Sequence, residues 1–189
     1  MPQATATVPW RKRSEIERLA TETREKYGVG SVPVDPYDLA TRMGVDVFQA
    51  TFAEETTAGA IRWRDGRPEI LVREGDPSFR QAFTVAHELG HFLLHWKSSP
   101  SGEDGQATFI DSDLELYRHG PDLSETEPDE ARARHHREVQ ANMFAAALLM
   151  PEAEVRKEWR RLASVKKLAR AFEVSPMAMN YRIDQLGLW

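Results

Sequence analysis

The segment Phe83-Thr84-Val85-Ala86-His87-Glu88-Leu89-Gly90-His91-Phe92-Leu93-Leu94-His95 constrains this chain more than any other. It holds two histidines four residues apart with a glutamate beside the first, the pattern H-E-x-x-H. On an α-helix, residues at that spacing lie on one face, one turn above the other. Both imidazoles can then reach one zinc ion at about 2.0–2.1 Å. Glu88 would sit close enough to act on a water at the ion without ligating it. The helix is legible in the surrounding residues: Phe79, Ala82, Phe83, Ala86, Leu89 and Leu93 recur at three- and four-residue steps, which predicts a buried face. No proline falls between Ser78 and His95. The pentapeptide also fits an ordinary core helix whose histidines bond backbone or carboxylates, so the rest of the chain decides between the two. A catalytic zinc site needs a third protein ligand and an open fourth position. With no cysteine in the chain, that ligand has to be a carboxylate or a histidine, and a second apolar helix downstream is where to look.

Such a helix runs from Glu138 to Pro151: Glu138-Val139-Gln140-Ala141-Asn142-Met143-Phe144-Ala145-Ala146-Ala147-Leu148-Leu149-Met150-Pro151. A carboxylate at its rim costs less to bury when bound to a metal, which makes Glu138 the candidate. Asn142 lies one turn on, on the same face, where it can hold a ligand imidazole by its ring N–H. His95 continues the four-residue spacing of the histidines. Three ligands in a line on one helix cannot surround an ion tetrahedrally, so His95 is read as a structural or supporting histidine. His135, His136, Tyr117 and Arg118 are the candidates for a further donor to a developing oxyanion. Trp63 and Trp96 are read as core or rim packing.

The two segments together resemble the ImmA/IrrE family of bacterial and phage zinc metallopeptidases. That family pairs an F-T-x-A-H-E-x-G-H-x-x-L-H block with E-x-x-A-N-x-F-A-A-x-L-L-M-P, and this chain carries both in that order, at Phe83–His95 and Glu138–Pro151. The Pro33-Val34-Asp35-Pro36 connector and the helix and strand after it are similar to the family's amino-terminal part. The resemblance implies zinc held by His87, His91 and Glu138, with Glu88 as the catalytic carboxylate. The family often has a second glutamate where this chain has Gln140, which is read as lying outside the ligand set. It also implies a zincin-like core and a gluzincin-like use of two histidines and one glutamate. The expected substrate is a helix-turn-helix transcriptional repressor or antitoxin-like partner, whose cleavage switches on a stress-response or mobile-element programme.

Around these blocks the chain reads as α+β. Residues 1–13 form a flexible leader, 14–151 the metallopeptidase domain and 152–189 a helical extension. Ser14 and Glu17 have the form of a capping box that opens a helix ending at Gly28. A short helix follows from Tyr37 to Met43. Val45–Gln49, Ala58–Trp63 and Glu69–Val72 alternate as strands, the last two joined by an Arg64-Asp65-Gly66-Arg67 hairpin. They predict a small antiparallel three-stranded sheet against a mostly helical core, with an edge open to an extended peptide by strand addition. Ten acidic residues and one arginine between Ser101 and Glu130 predict a solvated acidic insertion, within which Phe109-Ile110 reads as a short strand.

Helices are predicted over 129–149, 152–162, 165–172 and 176–186. The last two have the rhythm of a helix-turn-helix, with Asn180, Arg182 and Gln185 as the residues that could reach DNA. Seven basic residues and one acid between Arg156 and Arg170 give the alternative function, a non-proteolytic module that binds a repressor or DNA through basic carboxy-terminal helices. The net charge of −5 gives no overall nucleic-acid footprint. The amino terminus lacks a signal-peptide core, no apolar run reaches the roughly 20 residues of a membrane helix, and the expected location is the cytoplasm.

Overall fold

The computed structural model describes residues 10–96, 109–111 and 129–188. Residues 1–9, within the predicted leader, lie outside that range, as do most of the predicted acidic insertion and the candidates Tyr117 and Arg118. Helix α1 spans Arg13–Lys26. It begins two residues earlier than its predicted box: the backbone N–H of Lys12 donates to the Glu15 carboxylate at 2.9 Å. Glu17 is thereby left for a long-range partner. Helix α2 spans Pro36–Met43. Asp35 caps it by accepting from the backbone N–H groups of Tyr37 (2.8 Å) and Asp38 (3.3 Å). Gly44, at φ 75°, closes it in the left-handed conformation that favours glycine.

Three strands follow, β1 (Asp46–Ala50), β2 (Gly59–Arg64) and β3 (Arg67–Arg73), and a fourth, β4, covers Phe109–Asp111. Their order is β1-β3-β2-β4. The sheet is therefore mixed and four-stranded, not antiparallel and three-stranded. The chain reverses in residues 51–58 and again at the Asp65-Gly66 hairpin, so β3 returns between its neighbours in the direction of β1. Accordingly β1 pairs parallel to β3, with Val47 opposite Ile70, while β2 pairs antiparallel to β3, with Ile61 opposite Ile70. Strand β4 takes the other side of β2, with Gly59 opposite Asp111 and Ile61 opposite Phe109. The edge strands of the sheet are thus β1 and β4.

Helix α3 spans Ser78–His91 and runs on into a single π-helical turn over Phe92–Trp96. Every residue from Phe83 to His91 is buried, because the sheet covers one side of the helix and α4 (Asp129–Leu149) covers another. Phe79 departs from the predicted stripe and is 41% exposed, since the first turn of α3 projects past that cover. The apolar half of α4 lies against both α1 and α3. That enclosure is what a run of Ala, Leu, Met and Phe without a polar face requires.

Helices α5 (Glu152–Leu162), α6 (Val165–Ala171) and α7 (Pro176–Leu186) complete the chain. Leu168, Phe172, Met179 and Ile183 join the same core as Ile16, Leu39 and Leu89. Arg182, offered by the sequence to a DNA groove, is instead 1% exposed. Its guanidinium donates to the Met150 carbonyl at 2.8 Å, to both Glu17 carboxylate oxygens, and to Gln185 Oε1 at 3.0 Å. One side chain thus satisfies a carbonyl just past the end of α4 and ties α7 to α1. Among the described residues no helix is long and apolar enough to cross a membrane.

Candidate metal centre

Helices α3 and α4 run antiparallel, and their facing residues form a ladder: His87 opposite Asn142, Gly90 against Ala141, His91 opposite Glu138, His95 opposite Arg137. Gly90 permits this approach. A Cβ there would stand 3.1 Å from both the Cα and the carbonyl oxygen of Ala141, and 3.2 Å from the Phe144 ring. Glycine here serves a close backbone approach, not backbone flexibility.

At the centre of the ladder three electron-pair donors converge. The Nε2 atoms of His87 and His91 are 2.9 Å apart, and Glu138 Oε2 lies 3.2 Å from the first and 3.3 Å from the second. Both histidines are 1% exposed, and the Glu138 side chain is largely buried. Burial pushes the Glu138 carboxyl up, but the ring nitrogens of His87 and His91 outweigh it and hold the group well below the usual carboxylate range. The proton on His87 is placed by Asn142, whose amide oxygen accepts from Nδ1 at 2.8 Å. The Nε2 lone pair of His87 is thereby directed at the centre.

These residues fit a divalent ion. Tetrahedral zinc with ligands at about 2.0–2.1 Å sets its ligand atoms roughly 3.3 Å from one another. The two nitrogen–oxygen separations match that spacing, and the nitrogen–nitrogen separation is shorter by a few tenths of an ångström. Two nitrogens, one carboxylate oxygen and no sulfur also make a donor set suited to zinc. Among the described residues, these three form the one group of histidine and acidic side chains close enough to hold a metal.

Glu88 is fully buried on the same helix. Strand β2 passes close beside it at Gly59. A Cβ at that position would meet the Thr84 methyl at 2.2 Å and Glu88 Oε1 at 3.4 Å. Sequence reasoning missed both Gly59 and Gly90. The available signal was a glycine inside a strand pattern and another inside a helix pattern, which mark close backbone approach.

The remaining candidates sort plainly. His95 does not join the donors: its ring lies 5.5 Å from that of His91, and Nε2 donates to the Arg137 carbonyl at 3.3 Å. Burial, with His91 beside it, pushes His95 down to about 4. His136 packs edge-on against Trp10 at 5.0 Å, and His135 stacks no closer than 6.4 Å to it. Gln140 is fully buried on α4 and is not among the three donors.

Residues 40–184 match the model of a peptidase family described as the IrrE N-terminal-like domain. The chain is 30% identical over 134 residues to the radiation response metalloprotease IrrE of Deinococcus radiodurans, covering 66% of this chain and 35% of that protein. It therefore spans about a third of that relative's length. Among solved structures, a Mycobacterium tuberculosis transcriptional regulator is similar with a TM-score of 0.59 at 20% identity. That match covers 90% of this chain and 46% of the other, and it is a likeness of fold.

Proposed function

Given that the chain belongs to the ImmA/IrrE family of metallopeptidases, we propose that it is a zinc-dependent, site-specific endopeptidase whose centre is built from His87, His91, Glu138 and Glu88. The observation that carries this reading is the convergence of three donors from two helices, with a buried carboxylate one residue from the first of them. Zinc, when held there, supplies a Lewis acid and lowers the pKa of an attacking water toward neutrality.

The chain's own groups do the rest. Asn142 fixes the ring of His87 so that Nε2 faces inward. Glu138 contributes the carboxylate oxygen that completes the three-donor group. Glu88 accepts the proton of the attacking water and returns it to the leaving amine. Burial of His87, Glu88 and His91 excludes bulk water from that transfer. The zincin-like core, the gluzincin-like ligand set and the division into 14–151 and 152–189 are parts of the same proposal.

The substrate class we propose is a helix-turn-helix repressor or antitoxin-like protein in the cytoplasm, cleaved to release a stress-response or mobile-element programme. A two-nitrogen, one-carboxylate site beside a buried base has little use in a protein that only binds. Incubating the zinc-loaded chain with a helix-turn-helix protein encoded beside it should give one defined cut, and Glu88→Gln should abolish that cut. Persistence of the cut in Glu88→Gln would remove Glu88 from the chemistry.

A further inference from the structure

The described residues leave five large apolar side chains well exposed: Trp10, Phe48, Trp63, Phe79 and Met177. Of these, Trp63 lies on the strand that passes Glu88. Gly59 faces Thr84 and Glu88, and side chains on a strand alternate, so Ile61 and Trp63 share the sheet face turned toward α3. Ile61 is fully buried there. Trp63 is 43% exposed because regular α3 has already ended beside it. Its ring meets Phe92 of the π-helical turn at 6.4 Å, tilted by 47°.

Phe92 is four residues from Glu88, on the same side of the helix and about one turn, or roughly 6 Å, further along. Phe79, nine residues before Glu88, falls on the opposite side by the same arithmetic, and Phe48 lies on the other face of the sheet. Trp63 is not part of the packed core, and among the described residues the pairing of β4 with β2 runs from Gly59 to Ile61. The result is an aromatic pair about one turn beyond the candidate base, in which Phe92 packs against the core and Trp63 stands outside it.

We propose that Trp63 and Phe92 form an apolar subsite that takes one bulky aliphatic or aromatic side chain of the peptide substrate. The inference rests on the metallopeptidase reading and adds a sequence preference to it. An extended peptide advances about 3.3 Å per residue. Phe92 stands roughly 6 Å from Glu88 and Trp63 about 13 Å along β2 from Gly59, so the side chain in question lies about two to four residues from the bond above Glu88. A pocket of this kind discriminates through area buried against the rings.

Cleavage-site profiling of the zinc-loaded full chain on a randomised dodecapeptide library reads the subsite. The wild type should enrich Leu, Met, Phe and Tyr by about tenfold or more at one position, at fixed spacing from the cut. Trp63→Ala should flatten that position and no other, while Trp63→Phe, which keeps a ring against Phe92, should retain it. A profile unchanged by Trp63→Ala, or one with no apolar position, overturns the subsite even if every cut depends on Glu88.

Failure of the peptidase reading looks different: either cleavage that survives Glu88→Gln, or no cleavage at all. In those cases binding of the same library by the Glu88→Gln chain decides the matter. Capture of apolar-bearing peptides that is lost in Trp63→Ala and kept in Trp63→Phe sustains the subsite, and capture without that dependence overturns it.

Discussion

Gly90→Ala sets two physical effects of opposite sign against each other. In an exposed helix interior, replacing glycine by alanine gains about 0.8–1.0 kcal/mol from helix propensity. At position 90 the new methyl would stand 3.1 Å from the Ala141 Cα and carbonyl oxygen. These are backbone atoms and cannot swing aside, so α4 has to move by a few tenths of an ångström. Overpacking of this kind costs about 1–3 kcal/mol. Subtracting the propensity gain leaves a net loss of roughly 1 kcal/mol, which for a chain of this size lowers Tm by about 2–4 °C.

The same movement carries Glu138 and Asn142, on either side of Ala141, away from the two histidines. Metal ligands tolerate roughly 0.2 Å of error, so zinc affinity should fall by about tenfold or more. Thermal melts of the metal-free protein and chelator-competition titrations of zinc read the two effects separately. The double variant Gly90→Ala/Ala141→Gly should not rescue either, because the obstruction is Ala141's backbone and not its methyl. A Gly90→Ala protein with a raised Tm and unchanged zinc affinity would refute the backbone-to-backbone packing of α3 on α4.

Three further outcomes follow from the same contacts. Asn142→Ala, by releasing His87 Nδ1, should weaken zinc binding by about 10–100-fold with little change in the metal-free fold, which competition with a chromophoric chelator would detect. Glu17→Gln should cost about 3 kcal/mol in urea denaturation, since it strips the partner from a guanidinium that is 1% exposed; a loss below about 1 kcal/mol would show that pair to be a surface contact in solution. His95, neutral in the fold and pushed down to about 4, binds a proton more readily unfolded than folded. Its contribution is therefore intact above the unfolded value near 6.5 and is lost as pH falls from there toward 4. Denaturation of the metal-free chain across that range should steepen with acid in the wild type and flatten in His95→Gln.

What the sequence disclosed and what it concealed divide along physical lines. Helical spacing fixes that His87 and His91 share one face of α3 and Glu138 and Asn142 one face of α4. The pairing of the two faces came from the family's two blocks, and the structure sets the four side chains against one another. Helix ends at Gly44, Pro151 and Gly187 were legible from residues with few backbone options. The parallel pairing of β1 with β3 was not, because alternation fixes which residues face the core but not which strand lies next to which. Glu17 read as part of a capping box and Arg182 as a residue that could reach DNA. Only the meeting of α1 and α7, 165 positions apart in sequence, turns them into a buried pair. The π-helical turn at Phe92–Trp96 likewise has no signature in residue spacing, although it directs His95 to the Arg137 carbonyl.

X-ray absorption at the zinc edge on the reconstituted protein tests the centre most directly. The account predicts one zinc per chain, with two imidazole nitrogens and one carboxylate oxygen from the protein at about 2.0–2.1 Å, and loss of the oxygen contribution in Glu138→Ala. A first shell with three imidazoles, or one that Glu138→Ala leaves unchanged, would contradict it.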